Sequence, residues 1–292
     1  MAEIKGTHQY PKIYALGSVE VADILKEPVE VTEKVDGSQI GFGVIDGELI
    51  IRSKGSLIVQ GQPNGLFKNA TAYIISIKDR LKPNWFYYGE CLQSPRHNKL
   101  KYDRVPHGNI ALYGVKGASG VFLGWETVRS VAESFDMDCV PILGSGYYTV
   151  EELEKFLEFK SFLGGDIEGI VINSGRMSAK LVRQEFKEVM REKKPKAAQG
   201  ETDKAIQETF AAFCTQARWD KAIQHLRESG EIKGSNSDIG LIIREIQRDV
   251  LEEEEGYVKE LLWSMFRRKF LSAVVEGFPK YYQERLLAQL GE

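Results

Sequence analysis

The stretch that decides the fold is Glu30-Val31-Thr32-Glu33-Lys34-Val35-Asp36-Gly37-Ser38-Gln39-Ile40-Gly41-Phe42-Gly43-Val44. It opens as an extended β-branched run, breaks at Asp36-Gly37, and resumes as an alternating segment. Lys34 stands at the break. A lysine at a strand end, among backbone donors and carboxylates, can lose its proton and act as a nucleophile. The pattern Lys-x-Asp-Gly also describes a plain hairpin turn, so this segment alone leaves both readings open.

Working outward, three further segments place charge inside apolar strands. Trp85-Phe86-Tyr87-Tyr88-Gly89 runs straight into Glu90. Ile167-Glu168-Gly169-Ile170-Val171-Ile172 carries Glu168 in an apolar run, and Ser178-Ala179-Lys180-Leu181-Val182-Arg183 carries Lys180. Buried charge is costly unless paired or ligated. Two carboxylates and two lysines converging on one cleft suit a metal-bound polyphosphate, with carboxylates on a divalent cation or nucleotide hydroxyls and lysines on phosphate oxygens.

The chain resembles the covalent nucleotidyltransferase superfamily of ATP-dependent DNA and RNA ligases and messenger RNA capping enzymes. Within it, the chain is most similar to the nick-sealing RNA ligases of phage type, over roughly residues 8 to 190. The resemblance implies an α+β, ATP-grasp-like nucleotidyltransferase domain with mixed and antiparallel sheets, followed by a small all-helical C-terminal domain. It makes Lys34 the nucleophile that becomes lysyl-AMP. It sets Glu33 by the adenine and Gln39 near the phosphate. Arg52, in Ile51-Arg52-Ser53-Lys54-Gly55, falls on the sugar and phosphate, with Lys54 as a second candidate. Glu90 takes the ribose, Tyr113 stacks on adenine, Glu168 is the metal-linked carboxylate, and Lys180 acts at the α-phosphate. The implied cofactors are ATP and Mg2+ or Mn2+.

The last motif departs from the family. Where the pattern is Lys-x-Lys, this chain reads Lys180-Leu181-Val182. Residues two apart share a strand face, so Val182 occupies a position expected to help neutralise phosphate. Arg183 substitutes only through a bulge or an altered turn.

Composition fits an intracellular, cytoplasmic enzyme. The 292 residues are 42% hydrophobic and 28% charged, enough for a sizeable core and two domains. No stretch has the length of a membrane span, and the N-terminus lacks a secretory apolar run. Cys91, Cys139 and Cys214 are odd in number and widely spaced, which argues against a disulfide framework. His8, His97, His107 and His225 form no zinc pattern and take no catalytic role. The formal net charge is −3, with 13 Lys and Arg against 17 Asp and Glu in residues 201–292. Basic stretches at residues 78–82, 96–104 and 191–196 offer local footing for a phosphodiester backbone. The middle stretch reads equally well as a solvated loop.

The expected elements are a short helix in the lead-in before residue 25 and a hairpin turning at Asp46-Gly47, with Lys34 at the start of that two-stranded unit. A helix is expected over 69–78, strands over 85–89, 109–115 and 121–125, and a helix over 127–135. Thr149 and Glu152 form a capping-box pattern for a helix to about 163. The run from Lys193 to Gly200 has linker character, giving an adenylyltransferase domain over 1–195 and a helical domain over 201–292. In that tail, helices over 239–251 and 257–275 flank Glu252-Glu253-Glu254-Glu255, read as a solvated turn. Pro279 opens the last helix, striped by Leu286, Leu287 and Leu290, and the tail forms a small bundle. No Walker loop or dinucleotide fingerprint is present.

The reading is therefore an ATP-dependent RNA ligase joining 3′-OH and 5′-phosphate ends of RNA, or of an RNA-containing duplex, at nicks. It is expected to act as a monomer without membrane contact, with nearby cations depressing the pKa of Lys34. A capping-type guanylyltransferase would prefer GTP and carry a β-barrel domain. A DNA ligase would demand less of ribose hydroxyls, and a non-enzymatic RNA-binding protein would retain RNA without consuming ATP.

Overall fold

The computed structural model describes residues 8–58, 65–186, 206–207 and 210–290, with no side chains described for 285–290. The linker at 193–200, the basic stretch at 191–196 and the stripe of Leu286, Leu287 and Leu290 lie outside the described residues or side chains.

Two five-stranded mixed sheets form the body, with helices added to them, an α+β arrangement. The first runs β1 (Tyr14–Ala15), β10 (Ser178–Val182), β9 (Gly169–Asn173), β2 (Val29–Lys34), β8 (Ile142–Gly146). The second runs β4 (Glu48–Ser53), β3 (Ser38–Ile45), β5 (Phe86–Cys91), β6 (Ile110–Lys116), β7 (Asp138–Cys139). Among these strands, β1 pairs with β10 and β6 with β7 in parallel, and the other pairings are antiparallel. Asp46 and Gly47, with φ of 50° and 85°, make the tight turn between β3 and β4.

Lys34 ends β2 in the first sheet, and Ser38 begins β3 in the second. The chain therefore crosses between sheets at Val35-Asp36-Gly37, so Lys34 is not part of the β3–β4 hairpin. Side-chain and backbone bonds from residues 98–102 pin this crossing. The Asp36 N–H donates to the Tyr102 hydroxyl at 2.8 Å, and the Lys99 and Leu100 N–H groups donate to Asp36 Oδ2 at 2.8 and 2.6 Å. Gly37 is needed for close approach: a Cβ there would sit 2.7 Å from the Cys91 carbonyl oxygen and 2.7 Å from Glu90 Cγ.

Helix α1 (Lys68–Ser76) turns Ala70 and Ile74 inward, and α2 (Trp125–Ser134) turns Val128, Val131 and Ala132 inward. Both join Phe42, Phe67, Tyr87 and Phe135 in one apolar cluster on the second sheet. Each fully buried isoleucine or phenylalanine here contributes about 1.5–3 kcal/mol. A second cluster, with Val29, Val31, Ile170 and Ile172, backs the first sheet.

Several elements differ from the sequence reading. The lead-in forms two short 3-10 turns, Val19–Val21 and Ile24–Lys26. Residues 121–125 form no strand; Phe122 makes an isolated bridge to Lys116, and Trp125 already opens α2. The capping box holds, with Glu152 Oε2 accepting from the Thr149 N–H at 2.8 Å. The helix it opens, α3 (Val150–Lys155), nevertheless ends after one 3-10 turn, Phe156–Glu158. Residues 161 and 162 are instead drawn onto Glu33, and Gly164 and Gly165 turn the chain at φ of 85° and 81°.

In the tail, α4 (Gln216–Glu228) packs on α5 (Ile239–Val274), and α6 (Phe278–Leu290) follows with Pro279 in its first turn. Residues 252–255 are a continuous part of α5, not a solvated turn. Glutamate is a good helix former, and paired cations offset this run's self-repulsion. Arg248 Nη1 lies 2.6 Å from Glu252 Oε1, Lys259 Nζ lies 2.8 Å from Glu255 Oε1, and Arg218 reaches Glu254 at 3.2 Å. The tail is a hairpin with an extended continuation more than a closed bundle: Trp263, Phe270, Val274 and Tyr281 are exposed. No helix among the described residues is long and apolar enough to cross a membrane.

Candidate active site

A cleft of about 1730 Å³ opens where the two sheets meet the tail. It exceeds the ~300–1,000 Å³ typical of pockets for one small ligand. Strand register assembles its first wall. Lys34 pairs with Gly169, and Gly169 with Val182, so Lys34, Glu168 and the Lys180–Val182 segment lie side by side across β2, β9 and β10. Lys34 Nζ donates to Glu168 Oε2 at 2.6 Å. The second sheet supplies the facing wall, where Gln39 and Glu90 pair across β3 and β5 and Tyr113 rises from β6.

Carboxylates, not cations, dominate the surroundings of Lys34. Burial disfavours its ammonium, but Glu168, Glu90 and Asp36 outweigh burial and hold the pKa above the ordinary lysine range. This corrects the expectation of a depressed value. Burial likewise raises Glu168 despite Lys34. Glu90 is pushed up to about 8, chiefly by burial, with Lys34 opposing and Glu168, Glu228 and Asp36 reinforcing the shift. The cleft thus crowds carboxyl groups around one lysine, and a cation placed among them would favour their ionised forms.

The remaining sequence candidates divide. Lys180 and Lys54 line the cleft with Lys34, Gln39, Glu90, Tyr113 and Glu168. Glu33 precedes Lys34 on β2 and also lines the cleft. Its carboxylate accepts from Ser161 Oγ at 2.5 Å and the Phe162 N–H at 3.1 Å, so it anchors a loop and is itself buried. Arg52 is also buried, against Tyr88 and with Nε donating to the Ser53 carbonyl, and does not line the cleft. The turn closed by the Ser56 N–H on Ser53 Oγ ends β4 there and redirects Lys54 instead. Arg183 points away as strand alternation requires, pairing with Asp166 at 3.2 Å and Glu185 at 3.0 Å. No bulge between β9 and β10 brings it round, so it does not take the place of Val182.

Other cleft residues fall outside the motifs, although His97 and Asn98 lie in the basic stretch 96–104. Trp125 lines it from the start of α2, where the sequence suggested a strand. Asn98 Nδ2 donates to the Gly37 carbonyl at 2.7 Å, and Gln224 Nε2 from α4 donates to the same oxygen at 3.1 Å. His97 Nδ1 accepts from the Gln93 N–H at 2.9 Å, which leaves its proton on Nε2, 2.8 Å from Ser38 Oγ. The Ser38 hydroxyl in turn donates to Glu228 of α4. The tail therefore reaches the cleft through Gln224 and Glu228, contacts more than 180 residues apart that only folding reveals.

No curated protein matches the chain. Among solved structures, a mutant RNA ligase of Naegleria gruberi in apo form is 17% identical with a TM-score of 0.49, covering 60% of this chain and 56% of that one. Another mutant of that ligase with ATP and Mn gives 15% and 0.48 over 60% and 56%, and the ligase with PPi 17% and 0.47 over 60% and 55%. The chain thus spans little more than half the length of these structures. A family model described as RNA ligase matches residues 27–189, from the start of β2 through β10. That span holds both walls of the cleft and more than half of the chain, and it makes this chain a member of the RNA ligase family.

Proposed function

We propose that the chain is an ATP-dependent RNA ligase that joins 3′-OH and 5′-phosphate ends at nicks in duplex RNA or RNA-containing duplex. The observation that carries this is Lys34 Nζ, held 2.6 Å from Glu168 Oε2 in a cleft shared with Glu90, Tyr113 and Lys180. In the first step the Lys34 amine forms a bond to the α-phosphorus of ATP, the bond to the β-phosphate oxygen breaks, and pyrophosphate leaves. The ammonium proton must depart first, and Glu168 is the carboxylate in reach. In the second step a 5′-phosphate oxygen displaces Lys34 from AMP, giving a 5′-adenylylated end. In the third, the 3′-hydroxyl attacks that 5′-phosphate, losing its proton and expelling AMP.

The donor set fits Mg2+ or Mn2+. Among the described residues no group of three or more His, Cys, Asp and Glu forms a metal cluster. Such cations commonly take one or two carboxylates and complete their shell with water and phosphate oxygens. Glu168 would hold the ion, with Glu90 placed for the ribose. Such an ion would supply positive charge to offset that of the phosphates. Lys180 faces the α-phosphate, and Tyr113, in the cluster with Trp125 and Val140, offers a ring for adenine. Residues 1–195 would form the adenylyltransferase domain and 201–292 a helical domain that positions ends.

The test is incubation with α-labelled ATP and Mg2+ or Mn2+, followed by denaturing electrophoresis, with GTP alongside. Label is expected from ATP and its loss in Lys34→Ala; an adduct retained in that variant sinks the assignment. Sealing is then compared on nicked RNA duplex, nicked DNA and single strands. Preference for an all-DNA nick overturns the substrate assignment.

A further inference from the structure

The face of β10 that carries Lys180 has Val182 as its next residue, and both line the cleft. Opposite that face, α4 and α5 bring another cation. Glu253 of α5 stands between two lysines, its Oε2 3.9 Å from Lys180 Nζ and its Oε1 3.3 Å from Lys221 Nζ. One carboxylate thus gathers an ammonium from the two-sheet body and one from the tail. Asp249 holds Lys221 in place at 2.7 Å, itself bonded by the buried Arg218. The Lys221 side chain remains 25% exposed and lines the cleft, so a second anion has access to it.

A carboxylate and a phosphate oxyanion present comparable oxygen pairs to a cation. We propose that Lys221 supplies, from the helical tail, the second phosphate-binding cation that Val182 does not, and that Glu253 occupies the phosphate position until substrate displaces it. The ligand is a phosphate group, from the β- and γ-phosphates of the nucleotide or from the 5′-phosphate of a strand end. The proposal rests on the ligase reading above. It accounts for the tail lying on the nucleotide cleft and gives Lys180 its missing companion.

The experiment uses the full chain in two arms. The first measures covalent labelling of Lys34 against ATP concentration; the second measures AMP transfer from pre-adenylylated protein to a 5′-phosphorylated RNA. Lys221→Ala is expected to raise the half-saturating ATP concentration, or that of RNA ends, about tenfold, as loss of one charge-assisted contact does. The arm that responds identifies the phosphate source. Lys221→Arg should retain most function, and Val182→Lys should restore Lys221→Ala, a rescue that a packing defect would not show. No change in either arm, or a loss that Val182→Lys leaves in place, overturns the proposal. Affinity for a fluorescent ATP analogue is measured in parallel in a Lys34→Ala background, where no covalent step occurs. A weakened affinity there on adding Lys221→Ala supports the site even if the wild type forms no adduct, a result that would count against the ligase reading alone. An unchanged affinity assigns no nucleotide role to Lys221.

Discussion

Arg218→Ala should detach the α4–α5 hairpin from within while leaving the two-sheet body folded. The Arg218 side chain has no solvent exposure, bonds Asp249 and lies 3.2 Å from Glu254 Oε1, and both carboxylates are nearly buried. Removing one partner of a buried ion pair typically costs about 3–5 kcal/mol, because charge is left without compensation. Asp249 would keep Lys221 at 2.7 Å, which places the expected cost at the lower end, about 3 kcal/mol. Among the described residues the buried apolar side chains of the tail are Ala222, Leu226 and Leu261. A leucine contributes about 1.5–3 kcal/mol by burial, so the lost ion pair matches one of the main apolar contacts here. Native-state hydrogen exchange reads the result directly. Amides of 216–228 should open with an equilibrium roughly a hundredfold larger, while those of β2, β5 and β9 keep their protection. Exchange in α4 that changes less than threefold, or an equal loss of protection in the sheets, would refute the reasoning.

Two further outcomes follow from the charge in the cleft. Because Glu168, Glu90 and Asp36 hold the Lys34 ammonium above the ordinary range, single-turnover adenylylation should accelerate as pH rises through the alkaline region. Glu168→Gln removes a negative charge, lowers the Lys34 pKa and should move that rising limb to lower pH, whatever it does to the maximal rate; an unmoved limb rejects Glu168 as the group that keeps Lys34 charged. Glu90, at about 8 in the fold, keeps a proton that the unfolded chain has already released. The unfolded state then binds fewer protons, so its contribution to stability falls as pH rises from the ordinary carboxylate range to about 8. Denaturant midpoints at pH 6 and pH 8.5 should converge in Glu90→Gln, and an undiminished gap would assign the dependence elsewhere.

Local pattern determined much of this protein. The β-branched run before Lys34, the Asp46-Gly47 turn, the Thr149–Glu152 cap and the apolar strands around Glu90, Glu168 and Lys180 are encoded within a few residues. Short-range sterics and hydrogen bonds suffice to form them. The cost of burying charge was also legible, and it singled out residues that the fold brings to one cleft. What sequence alone left undecided depended on partners distant along the chain. Arg52 sits in an equally suggestive strand, yet folding buries it beside Tyr88 and away from the cleft, while Glu33, which does line the cleft, is also tied to Ser161 and Phe162. Residues 252–255 looked like a solvated turn until Arg218, 34 or more positions away, and Lys259 supplied countercharge along one helix. The sign of the Lys34 shift is decided by tertiary structure for the same reason. A pKa depends on every charge within a few ångströms, and the crossing at residues 35–37, with the register of β2, β9 and β5, decides which charges those are.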